Sequence, residues 1–80
     1  MTKKEYYEEG KKIRIKYEIE LLAEFIYLNY LYYNKNKKNI NVKKIYNELS
    51  NPINYRQIEI DTIITKSKDL FNEKFNFNIN

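Results

Sequence analysis

Residues 41–57 read NVKKIYNELSNPINYRQ, and where this stretch divides decides the fold. Val42, Ile45, Tyr46 and Leu49 recur at i, i+3, i+4 and i+7, with Lys43, Lys44 and Glu48 on the other faces, the pattern of a short amphipathic helix. Asn41 stands where an N-cap belongs. Ser50-Asn51-Pro52 then interrupts the pattern, because proline disfavours helix at the residue before it and suits the first turn of the next one. The spacing predicts a turn of about three or four residues, with a longer helix starting at Pro52.

Downstream, Ile53, Ile60, Ile63, Ile64, Ser67, Leu70, Phe71 and Phe75 share one helical stripe. Upstream, Asn34-Lys35-Asn36-Lys37-Lys38-Asn39 reads as a loop, and the segment before it carries two apolar stripes. Ile19, Leu22, Ile26, Tyr30 and Tyr33 form one, suited to packing on the other two helices; Tyr17, Leu21, Phe25, Leu28 and Tyr32 form the second. In so short a chain a partner copy is the simplest cover for the second, so these five residues are the expected dimer interface.

Two passages carry another signal. Residues 12–20 and 75–80 alternate apolar with polar, the period of a half-buried strand, and could pair as a terminal β-ribbon. Residues 13–21 can equally be wound as a helix with apolar groups on two faces, and both readings stand. The glutamates before Gly10 suggest a short solvated helix or a frayed end.

Eighty residues make one domain, and a chain of this length buries only about 60–65% of the surface that its unfolded form exposes. With neither cysteine nor histidine, disulfides, thiolate or imidazole zinc sites, and cysteine–histidine or serine–histidine nucleophiles are excluded. Small domains without such staples often oligomerise, and nine tyrosines and four phenylalanines suit an interface as well as a core. One glycine cannot build a phosphate-cradling loop. Glu20 and Glu24 could share a helix face with Glu18 close by, but no base or nucleophile accompanies them, so a non-enzymatic protein without cofactor is expected. The first residues lack an apolar signal, and the run from Phe25 to Tyr33 falls short of the ~20 residues of a membrane span, so a soluble cytoplasmic protein is expected. Asparagine, lysine, isoleucine and tyrosine, all with AT-rich codons, supply 46 of the 80 residues, which favours a low-GC bacterium or its phage or plasmid.

The net charge of +4 is unevenly spread: residues 35–58 hold six basic side chains and one acidic one, so the excess sits on the loop, the short helix and the turn. Lys35, Lys37, Lys38, Lys43 and Lys44 are candidates for phosphate contacts. Asn54, Tyr55, Arg56 and Gln57 stand at the expected start of the long helix, and arginine, asparagine and glutamine bond bidentately to base edges in the major groove. Tyr55 and Ile58 fall off the main stripe and would serve a second interface or touch thymine methyls.

The order of a long apolar helix, a basic loop, the short helix Val42–Leu49, a turn and a longer helix resembles the helix-turn-helix superfamily over roughly residues 19–73. The resemblance implies a mainly α fold, a three-helix helix-turn-helix core with the terminal ribbon as a winged-helix-like addition. It also implies a homodimer on double-stranded DNA, as a transcriptional regulator or a plasmid or phage partition adaptor, reading the major groove with the start of the third helix. Two alternatives stand beside it. Lys12-Ile13-Arg14-Ile15-Lys16 is similar to the strand of ribbon-helix-helix repressors, where Lys12, Arg14 and Lys16 would read DNA. The surplus tyrosines and the two-sided first helix fit a protein-binding module, such as a phage- or mobile-element-encoded inhibitor of a host protein.

Overall fold

The computed structural model describes residues 1–33, 40–49 and 54–79, apart from the side chain of Tyr33. It is mainly helical: α1 spans Lys3–Tyr33, α2 Val42–Glu48 and α3 Gln57–Phe75.

α1 starts at a reciprocal cap that sequence reading overlooked. Thr2 Oγ1 accepts from the backbone N–H of Glu5 at 3.1 Å, and Glu5 Oε1 accepts from the backbone N–H of Thr2 at 3.2 Å. This capping box satisfies donors that the first turn would leave orphaned. The helix then runs without interruption through Gly10 for 31 residues, so the short or frayed N-terminal helix is corrected to one continuous element. The alternating stretch at 12–20 lies inside it and is helix, not strand. Apolar residues two apart fall on opposite sides of a helix: Ile15 and Ile19 are half-buried against the core, whereas Ile13 and Tyr17 face out. The ribbon-helix-helix reading, which needs a strand here, loses its element.

α2 follows its expected cap: Asn41 Oδ1 accepts from the backbone N–H of Lys44 at 3.0 Å, and Val42 and Ile45 are buried. The helix expected from Pro52 starts later. Residues 54–56 are not helical, so eight residues separate Glu48 from Gln57 and the short turn of a helix-turn-helix is corrected to a longer connection. Glu59 sets the boundary: its Oε1 accepts from the backbone N–H of Arg56 at 2.7 Å, which caps a helix opening at Gln57. Ile53 lies outside the described residues.

α3 buries Ile63, Ser67 and Phe71 and half-buries Ile60, Ile64, Leu70 and Phe75, the stripe expected of it. It packs parallel to α1 in a constant register of 48 residues. Glu59 meets Lys11, Ser67 meets Ile19, and the Phe75 ring stacks on Tyr27 at 4.1 Å and 6°. Leu22, Ala23, Ile26, Val42, Ile45, Tyr55, Ile63 and Phe71 make the core between the three helices.

Asn76 ends α3 in the left-handed conformation (φ 56°, ψ 45°), and the chain turns back. Asn72 then clamps the tail, its side-chain amide donating to the carbonyl of Ile79 and accepting from its N–H, both at 2.9 Å. Phe77 sits edge-on to Tyr30 and Phe71, at 4.6 and 5.1 Å. The alternation at 75–79 thus marks a helix end and a tail tucked onto an asparagine. No strand occurs among the described residues, and the β-ribbon is corrected accordingly.

Candidate functional site

The residues expected to read DNA do not share one surface. Tyr55 is only 6% exposed and belongs to the core, so its assignment as a DNA contact is corrected. Residues 54–56 precede the helix, and Lys11 Nζ lies 6.0 Å from the Tyr55 ring centroid. Burial, above all, and then the nearby Glu18 carboxylate push its phenol pKa up.

Asn54, Arg56 and Gln57 are exposed, but two of them are engaged with carboxylates. Arg56 Nη2 lies 3.3 Å from Glu59 Oε2, and Gln57 donates to Asp61 Oδ1 at 2.9 Å. Lys11 Nζ closes on Glu59 from α1 at 3.1 Å. Glu59 is thus held by a backbone N–H and two cations, and its pKa drops from 4.5 to about 2, chiefly through the Arg56 backbone hydrogen bond and then the guanidinium. This cluster ties the start of α3 to α1. Lys43 and Lys44 lie exposed on α2; Lys35, Lys37 and Lys38 lie outside the described residues. Ile58, 67% exposed, is part of no core contact.

The second stripe of α1 is a different matter. Tyr17, Leu21, Phe25, Leu28 and Tyr32 remain 72%, 50%, 36%, 43% and 75% exposed after α2 and α3 have packed. Tyr6 and Ile13, 66% and 60% exposed, extend the same face toward the N-terminus. Sequence reading missed these two because it split the helix at Gly10 and left 12–20 undecided. Winding residues 3–33 as one helix would have placed both on the stripe. Shallow grooves flank it: one runs between Gly10, Ile13, Tyr17 and Leu21, another between Phe25, Leu28 and Tyr32 on α1 and Ile45 and Leu49 on α2.

Other chemistry is sparse. Glu24, half of the carboxylate pair considered above, forms an ion pair with Lys74 of α3. Among the described residues no cluster of acidic side chains could hold a metal ion, and no helix is long and apolar enough to cross a membrane. No family model matches the chain, and no curated protein or solved structure matches it.

Proposed function

We propose that the protein is a non-enzymatic protein-binding module whose working surface is the apolar stripe of α1. One observation carries this reading: α1 is apolar on two faces, and the fold covers only one of them. Seven large side chains between one-third and three-quarters exposed present roughly 800 Å² along the helix, about what one partner of a standard interface contributes. Contiguous apolar surface on this scale marks an interaction site. The aromatic rings add a second reason, since tyrosine and phenylalanine are enriched at interface centres.

A photo-crosslinking residue placed at Tyr17, with one at Thr65 on the exposed side of α3 as control, tests the reading in cells producing the protein. Protein adducts at Tyr17 and none at Thr65 are expected; equal or absent adducts at both refute it.

DNA binding is the second reading, favoured by the exposed Lys43 and Lys44 and, in the sequence, by the lysines at 35, 37 and 38. With Arg56 and Gln57 engaged by carboxylates, it rests mainly on phosphate contacts, with Asn54 the exposed candidate left for base readout. Fluorescence anisotropy with a duplex at low and high salt decides it. A steep salt dependence that flattens in Lys43→Glu, Lys44→Glu supports DNA binding, and no binding at low salt removes it.

A further inference from the structure

We propose that the occupant of the α1 stripe is a second copy of this chain, packed antiparallel along α1 about a two-fold axis at the level of Ile19. The proposal rests on the protein-binding reading and names its partner.

With Gly10 counted beside its seven large side chains, the stripe occupies positions 6, 10, 13, 17, 21, 25, 28 and 32, with successive spacings of 4, 3, 4, 4, 4, 3 and 4. That series reads the same in both directions. When two antiparallel helices are related by a two-fold axis, each position on one lies level with its mirror position on the other. Reflection about Ile19 sets Tyr6 against the partner's Tyr32, Ile13 against the partner's Phe25, and Tyr17 against the partner's Leu21, each pair occurring twice. An evenly stepped stripe of this kind can therefore lie against an antiparallel copy of itself along its whole length. Parallel self-pairing also needs no palindrome, and it would bring Gly10 against Gly10, leaving a gap.

Gly10, the one position of the series without a side chain, is accounted for by the same pairing. Glycine is a poor helix former, and a Cβ at Gly10 would meet nothing within 4 Å, so the fold of one chain has no need of it. In the antiparallel pair Gly10 lies level with the partner's Leu28, and the missing side chain makes room for that leucine, small against large as in a packed core. The stripe advances about 3.7 residues per turn, close to the 3.67 of an 11-residue repeat, so the two helices stay in contact along most of their length by coiling with a right-handed twist.

Engineered cysteines test the geometry, because the chain has none of its own. Ile13→Cys and Phe25→Cys are prepared separately, their helicity is checked by circular dichroism, and they are oxidised alone and mixed. The expected product is a covalent dimer that joins position 13 to position 25 and appears only in the mixture. Like positions would sit 12 residues apart along the axis, about 18 Å, beyond the ~7 Å Cα separation that a disulfide spans. Tyr6→Cys with Tyr32→Cys repeats the test at the ends. In sedimentation equilibrium the native chain is expected to dimerise, and Leu21→Glu, which acts twice beside the axis, to weaken the dimer at least tenfold.

Crosslinks between like positions would overturn the antiparallel arrangement. A chain that sediments as a 9.9 kDa monomer at all concentrations would overturn the second copy. In that case Tyr17 photo-adducts to another protein leave the protein-binding reading standing, and their absence removes both.

Discussion

The hydroxyl of Ser67 on α3 donates a hydrogen bond to the backbone carbonyl of Ile19 on α1 at 3.1 Å, 48 residues away and with Ser67 fully buried. A small side chain at the centre of the seam lets the parallel helices approach closely, and the bond satisfies a hydroxyl that would otherwise be buried unpaired. Ser67→Ala is expected to lose about 1 kcal/mol in urea unfolding. Ser67→Leu is expected to lose more, about 1–3 kcal/mol, because its extra atoms must push α1 and α3 apart. Equal losses for the two would mean that the hydrogen bond, and not the close packing, sets the seam.

Tyr55 Oη is buried with no hydrogen-bond partner among the described residues. Tyr55→Phe keeps the ring and removes the desolvated hydroxyl, so it is expected to stabilise the fold by about 1 kcal/mol. A raised melting temperature in calorimetry is the readout; a lowered one would reveal a partner for the hydroxyl.

Glu59 gives the fold an acid limb. Its folded-state pKa of about 2 lies below the ordinary 4.5, so the folded state favours the ionised form. The resulting stability is fully present above pH 4.5 and is lost as pH falls from there toward 2. Glu59→Gln lacks that charge. The stability difference between native chain and variant is expected to be largest near neutrality and to shrink through this window, followed by chemical denaturation at each pH.

Asn76 holds a positive φ of 56° at the C-cap of α3. Asn76→Gly is expected to be neutral or slightly stabilising, whereas Asn76→Val forces a β-branched residue into the left-handed region and is expected to lose about 1–2 kcal/mol. Faster hydrogen exchange at the Phe77 amide, which donates to the carbonyl of Asn72 at 3.0 Å, would accompany the loss.

Much of the helical content was legible along the chain. Asn41 caps α2 as expected, the Val42 and Ile45 side is buried, and Ile63, Ser67 and Phe71 lie on the stripe that α3 buries. Errors fell where local patterns conflict. The alternation at 12–20 satisfies a strand and a two-sided helix equally. Pro52 suggested a helix start, while Glu59, bonding back to Arg56, places it at Gln57. Of the candidate reading residues, Tyr55 lies in the core, ahead of α3 and not in its first turn.

By itself the sequence determined which segments are amphipathic, which residues cap α2, and which five side chains form the second stripe of α1, because each depends on contacts within a few turns of one helix. Only the tertiary structure decided that residues 3–33 are a single helix, that α3 begins after Tyr55, and that the uncovered face of α1 reaches back to Ile13 and Tyr6. Helical periodicity is local: it says which faces of a helix are apolar, not which residues of a distant helix they meet. Matching one helix to another requires the 48-residue register of α1 on α3, set by Lys11 with Glu59, Ile19 with Ser67 and Tyr27 with Phe75, pairs whose meeting no local pattern encodes.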